Sequence, residues 1–455
     1  MREDSTKLPR GPRTPGWIQT LRLTRDPVGA LHAWARRYGH CFTLSILPVG
    51  RLVVVTDPAA LKELFSGDPT VFRAGEATAR LLPILGAGSI LCTDGEEHLR
   101  RRRQLLPVFH GEGLAGHTTW IAELAERESD RWPLGRPVQL LPRMRSIAFE
   151  VISRLVLGPL EQPRVDELHA RLGRMLSGAS ILASWHPWPV PGLEPRGPWK
   201  RIERRRSAVD ELLLEEIRRR RARSDVSERD ALSVLAGGAK DAPAPSDGDL
   251  CDELRSLLIV GHETTAAALA WALTELARAP AVVERVLGEP ADGDHRYLEA
   301  VIEETLRLRA PVVDAVRLLA EPVELNGLAL PAGTVVMAAL PLVHRRPDLF
   351  AEPDSFRPER FLAGRPEPYS FVPFGGGVRR CLGAPLAMLE LRAVLPVILQ
   401  RFRLRPARPD AERARLYGTA IVPARGAEVI LERRSVEPGR TASIESVGTG
   451  PRSDR

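Results

Sequence analysis

Lysine and cysteine are both scarce in this 455-residue chain, and each scarcity removes a class of function. Lysine stands only at 7, 62, 200 and 240, so nearly all of the 65 basic residues are arginine. They are interleaved with 58 acidic residues along most of the chain, which argues against a nucleic-acid-reading surface despite the net charge of +7. The bias toward arginine fits a GC-rich coding sequence better than a phosphate-binding face. Cys41, Cys92, Cys251 and Cys381 are far apart. They offer no C-x-x-C pair for zinc, no C-x-x-C-H for covalent attachment of a macrocycle, and no disulfide framework.

Long apolar runs are missing too. No stretch of about 18 apolar residues is uninterrupted, and Met1 to Trp17 hold no apolar segment that could serve as a signal peptide or membrane anchor. A soluble, cytoplasmic chain without a membrane anchor is expected. Residues 1–15 and 435–455 are poor in large apolar side chains and read as disordered, while 16–434, with no long linker and no repeat, reads as a single domain.

The regular alternation of strand and helix that builds a parallel sheet is also lacking. What remains is helical. Leu250 to Arg278 reads as one long helix, and Arg201 to Arg223 places Ile202, Val209, Leu213 and Ile217 on one face of a charged, solvated amphipathic helix. Short strands are expected at Cys41–Ile46 and Leu52–Val55 around a Pro-Val-Gly turn, a helix opening at Asp57-Pro58, and a hairpin tipped by Asn326-Gly327. His344 to Phe361 is a proline-punctuated meander, and the tryptophan- and proline-rich stretch 185–199 could line an entrance. The fold class is mainly α with small β-sheets (α+β).

The chemistry concentrates in Phe374–Gly383, FGGGVRRCLG, where one cysteine sits in a glycine-rich, arginine-flanked loop running into an apolar helix. Glycines at 375, 376 and 377 let the backbone turn and approach a flat cofactor. Arg379, Arg380 and the start of the helix after Cys381 are expected to lower the thiol's pKa. A thiolate held this way suits a haem iron, whereas a lone cysteine is ordinarily a small buried hydrophobe. Phe374, Gly377, Arg379, Cys381 and Gly383 together match F-x-x-G-x-R-x-C-x-G. This resembles the haem-binding loop of the cytochrome P-450 family.

Further segments carry the resemblance in order over about residues 8 to 432. Gly261-His-Glu-Thr-Thr265 interrupts the apolar run of the long helix; a zinc reading as H-E-x-x-H fails because residue 266 is alanine. Read alone, the segment is equally a helix with a buried threonine bonded to its own backbone. It is similar to the family's oxygen-activating segment, which implies that Glu263 and Thr264 relay protons on the oxygen side and that Gly261 leaves room there. His262 occupies the variable position, where it could bias proton delivery or contact substrate; it reads first as a satisfied polar residue facing away from the haem. Glu304 and Arg307 form E-x-x-R, and Arg360 lies in Pro358-Glu-Arg-Phe361; the resemblance makes these three a structural triad. It likewise makes His98, Arg102, Arg317 and Arg379 the cations for the haem propionates, with Phe374, Gly375 and Gly383 in the cofactor loop.

The implied fold is the triangular, helix-rich prism with haem between the long central helix and the helix after the cysteine. The implied cofactor is haem b, noncovalent, with Cys381 as axial ligand. By position, substrate is expected against Leu257, Gly261, Val312, Val313 and Ile421, an apolar set. The implied activity is a haem-thiolate monooxygenase inserting one oxygen atom from O2 into an apolar small molecule of fatty-acid, terpenoid or polyketide type. Electrons are expected from NAD(P)H through a ferredoxin reductase and a ferredoxin, since no such module is fused; the enzyme is expected to be a monomer. A peroxide-driven haem-thiolate enzyme and a non-catalytic haem sensor remain alternatives. Arg100, Arg101 and Arg103 read first as a solvated basic surface; with Arg345, Arg346 and Arg380 they could instead form a docking face for the acidic ferredoxin. Pro396 is expected to kink the helix that follows Cys381.

Overall fold

The computed structural model describes residues 8–47, 49–78, 82–182, 198–222, 230–237, 245–290, 293, 295–418 and 420–434. The expected tail 435–455, most of the stretch 185–199 and residues 1–7 lie outside them. Residues 8–15 correct the expectation of disorder. The backbone carbonyl of Arg10 accepts from Thr43 N, and the Gln19 side chain donates to the carbonyls of Pro12 and Thr14 before capturing Ser45 N. These polar contacts tie a segment with few apolar residues to the first strand, where burial alone could not hold it.

Helices dominate, as the patterns predict. The central helix, Asp247–Leu276, begins with Ser246 accepting from Asp249 N and carries few exposed residues. By length and composition it could cross a membrane, yet most of its surface is covered by protein. Here it is the axis of the core. A bracing helix, Leu140–Leu157, packs along it. Two further helices, Gln162–Leu182 and Pro198–Arg221, pack against each other nearby; Ile202, Val209, Leu213 and Ile217 of the second are all buried.

Small sheets surround this axis. The largest has the order Cys41–Ile46, Gly50–Val55, Val335–Ala339, Asp314–Leu319, Phe72–Arg73, and only the Gly50–Val55 and Val335–Ala339 pair is parallel. The expected hairpin pairs Val323–Leu325 with Leu328–Leu330, and Asn326 and Gly327 take the left-handed conformations that such a tip requires. Asp57 caps the helix Pro58–Ser66 through Ala59 N at 2.9 Å. The cysteine helix, Ala384–Arg401, continues through Pro396 without ending.

Candidate active site

The Cys381 loop is fixed from three directions. Its ends are closed by Cys381 N donating to the Phe374 carbonyl at 2.9 Å and by Gly375 N donating to Val372 O at 3.0 Å. Gly377, at φ +62°, lies so close to the Pro58–Ser66 helix that a Cβ would stand 1.8 Å from the Phe65 carbonyl oxygen. Glycine is therefore required there by packing against that helix. Gly375, at φ +68°, faces open space, and Gly383 starts the cysteine helix.

Beneath the loop, Glu304 and Arg307 of the helix Arg296–Leu308 are wholly buried. The guanidinium makes two bonds to the carboxylate, at 2.7 and 2.9 Å, and donates to the carbonyls of His344, Pro353 and Ser355. Arg360 reaches the same carboxylate at 3.0 Å and also donates to Ala351 O. The three residues predicted as a triad thus meet, and they clamp the proline-rich meander. His344, which sequence reasoning passed over, joins meander to loop: its Nε2 accepts from Val372 N at 3.0 Å. Burial, and next Arg307, push its pKa down to about 3, keeping the ring neutral.

Three arginines and a histidine gather beside the loop. Arg317 is buried, donates only to its neighbour's carbonyl, Val316 O, and has no carboxylate partner among the described residues; burial and Arg379 push its pKa down to about 10. Arg102, half-buried on the helix Gly95–Phe109 and electrostatically close to Cys381, is likewise unpaired among the described residues. His98 is buried, donates from Nδ1 to Ile90 O at 3.2 Å and leaves Nε2 without a partner; burial, then Arg379, lowers its pKa to about 4. Arg379 differs: it is largely spent on Asp94 Oδ1 at 2.5 Å and on the carbonyls of Thr93 and Ile90. Ile90 is a second residue absent from the sequence reading, since its N–H also ties Glu253 of the central helix at 2.7 Å.

A buried cation without a counter-charge costs several kcal/mol unless an anion meets it, about 3 or more where a buried ion pair has lost one partner. Arg317, Arg102 and the orphaned His98 nitrogen therefore fit the two carboxylates of a haem edge. Among the described residues no group of three His, Cys, Asp or Glu could hold a metal ion, which leaves Cys381 as the candidate protein ligand. Its side chain is reachable but recessed. Contrary to expectation, the thiol's pKa is raised: burial outweighs the N–H groups of Gly383 and Ala384 and the charges of Arg102 and Arg380. Arg379, tied to Asp94, is not among the groups that lower it. A positive metal centre would reverse that balance and take the sulfur as thiolate.

On the central helix the expected pair is split. The Thr264 hydroxyl donates to Val260 O at 2.8 Å, the self-bonded arrangement weighed above, whereas Glu263 points to the bracing helix, where Arg145 holds it at 2.8 and 3.1 Å. Burial alone would raise the carboxyl's pKa, but His262 and Arg145 bring it below the usual range. Gly261 also answers to packing, because a Cβ there would lie 2.6 Å from Ile152 of the bracing helix.

Leu257 and Gly261 lie on the central helix, Val313 and Ile421 share a core cluster with Val316 and Ala77, and Val312 packs beside Phe65 in another. Of the basic face, Arg345 is taken up by Asp354 and Leu308 O, and Arg346 by Asp348, Asp57 and Thr56 O, so neither is free for docking. Arg100 and Arg101 share Glu97, and Arg380 is exposed beside the exposed Val378.

The family model described as Cytochrome P450 matches residues 9–430. The chain belongs to the cytochrome P450 family. It is 38% identical over 460 residues to cytochrome P450 135B1 of Mycobacterium bovis, covering 98% of this chain and 96% of that one. It is also 38% identical over 433 residues to cytochrome P450 135A1 of Mycobacterium tuberculosis, covering 94% and 96%. Among solved structures it resembles retinoic-acid-bound cyanobacterial CYP120A1, with a TM-score of 0.82 at 24% identity over 94% of this chain and all of that one. The P450DA heme domain gives 0.80 at 23%, over 94% and 97%. This P450 is therefore a haem monooxygenase in general class, and its family binds haem b through a cysteine thiolate.

Proposed function

We propose that Cys381 is the axial thiolate and that this P450 inserts one oxygen atom from O2 into an apolar small molecule, by hydroxylation or epoxidation. The observation that supports this most is the unpaired Arg317 and Arg102, with the His98 nitrogen, set beside the Cys381 loop. When bound, haem supplies the reductive activation of oxygen that the protein's own side chains cannot perform.

The chain's residues then divide the remaining work. Arg317, Arg102 and His98 neutralise the propionates, and a carboxylate at His98 Nε2 would draw a second proton onto that ring. Thr264 stands on the central helix with its hydroxyl bonded back to Val260, so its oxygen can still accept a proton-bearing neighbour. Glu263 must leave Arg145 to exchange a proton on the Thr264 side. Leu257, Val260 and Val313 offer aliphatic surface that excludes water and suits a fatty-acid, terpenoid or polyketide substrate. Electrons come from NAD(P)H through a reductase and a ferredoxin; with Arg345 and Arg346 engaged, Arg380 and Val378 are the better docking candidates.

Replacement tests the ligand. Cys381→Ser should abolish the long-wavelength Soret band of the reduced carbon monoxide complex. Arg317→Met should keep the band position and lower haem retention by about tenfold or more, as expected for one lost buried charge pair. Retention of the thiolate band in Cys381→Ser would overturn the assignment.

A further inference from the structure

His262 takes no part in the reading above, yet it touches Glu263. Its ring is buried, with Nδ1 2.6 Å from Leu258 O, one turn back on the same helix. A carbonyl only accepts, so Nδ1 carries a proton. Nε2 then stands 3.2 Å from Glu263 Oε1, the other oxygen of the carboxylate held by Arg145. An unprotonated Nε2 would set two lone pairs against each other in a buried site; a proton on it turns the contact into an ion pair.

We propose that His262 is held as an imidazolium and stores the proton that Glu263 passes toward Thr264. The proposal rests on reading Glu263 and Thr264 as the proton-handling pair. In the step, the Nε2–H bond breaks and an O–H bond forms at Glu263 Oε1. His262 is left neutral with its proton on Nδ1, and the neutralised Glu263 is released from Arg145. A hydronium-level proton from bulk solvent, entering past the partly exposed His169, restores the proton on Nε2. Nε2 is poorly aligned with the carboxylate as it stands, so the proton stays on nitrogen until Glu263 turns.

The surroundings suit a single charge. From the bracing helix, Arg145 pairs with Glu263 and lies 4.3 Å over the Tyr417 ring, and Phe149 meets His262 edge to face at 5.3 Å. From the Gln162–Leu182 helix, His169 stacks on Phe149 at 4.5 Å and stands 5.8 Å from His262, nearly perpendicular. Burial, then His262, pushes the His169 pKa down to about 4, so this ring is neutral and does not compete for the charge.

Nitrogen-15 NMR of histidine-labelled, haem-loaded protein in its diamagnetic carbon monoxide complex reads the charge without turnover, with peaks assigned by their loss in His262→Gln. Both His262 nitrogens should be protonated at about pH 7, and the second proton should disappear in Glu263→Gln; a neutral ring in the unmodified protein overturns the proposal. Should His262→Gln fail to load haem, Glu263→Gln keeps the ring in place and carries the test. In turnover, His262→Gln should lose coupling of electrons to product about tenfold at about pH 8 and recover part of it near pH 6, the low end of general-acid effects because water can substitute. An unchanged coupling and pH profile also overturns the proposal. A Thr264→Ala variant with full coupling would overturn the underlying proton-handling reading and the delivery step with it. A neutral ring beside a damaging Thr264→Ala would sink the store alone.

Discussion

Two buried carboxylates in this P450 are each held by two basic side chains, and the contrast lies in what else those side chains hold. Around Glu304, Arg307 also binds three backbone carbonyls and Arg360 those of Ala351, Glu352 and Ser355, and Arg357 N donates to the carboxylate at 2.7 Å. Moving any member would break main-chain contacts across the meander. Around Glu263, Arg145 makes no hydrogen bond to backbone among the described residues and stacks on Tyr417, while His262 bonds only to Leu258 O of its own helix; the Arg145 side chain is 18% exposed where that of Arg307 is 0%. The first site is the more deeply enclosed, and the second lies nearer to water. On the function proposed above, similar ion pairing serves anchoring in one place and proton traffic in the other, and the backbone bonds distinguish the two.

Breaking the sealed site should have the largest effect. Arg307→Ala leaves a buried carboxylate and several carbonyls without their donor, a loss of more than about 3 kcal/mol against a total stability of about 5–15 kcal/mol. Little soluble, haem-loaded protein is expected, as measured by haem content and the urea midpoint. A soluble Arg307→Ala with an unchanged midpoint would show that the meander is held by something else.

The contrast was half legible in the sequence. Short motifs report residues that act through local spacing: Glu304 with Arg307 one turn apart, Cys381 inside its glycines, Thr264 bonded to its own helix. Arg145 lies 118 residues from Glu263, and no periodicity links them. Glycine roles were legible only in part for the same reason, since Gly261 and Gly377 also answer to Ile152 and to the Phe65 carbonyl, partners set by helix packing. Likewise Arg345 and Arg346 look like free surface charge until Asp354, Asp57 and Asp348 are brought to them.

Acid should discriminate next. His344, which accepts from Val372 N, has its folded pKa depressed to about 3 from 6.5 because it is buried and lies beside Arg307. The unfolded chain therefore binds the proton first. The stability this group contributes is complete above about pH 6.5 and is lost progressively as pH falls toward about 3, on the order of a few kcal/mol in all. The unfolding midpoint should fall between about pH 7 and 5, and His344→Asn, whose carbonyl can still accept from Val372, should flatten that fall. An equally steep fall in His344→Asn would assign the acid sensitivity elsewhere, to His98 or His169.

The smallest change in stability, and the sharpest test of the contrast, belongs to Arg145→Gln. Its side chain is partly exposed and its backbone obligations are few, so the loss should be about 1 kcal/mol, near the range for screened pairs rather than sealed ones. Yet Arg145 is one of the groups holding the Glu263 carboxyl below its usual pKa. Removing it shifts that pKa upward, so the carboxyl takes up its proton at higher pH, and the acid limb of coupling efficiency should move to higher pH while the thermal midpoint scarcely moves. If Arg145→Gln instead unfolded the protein as Arg307→Ala is expected to, the second carboxylate would be an anchor like the first, and proton delivery would need another route.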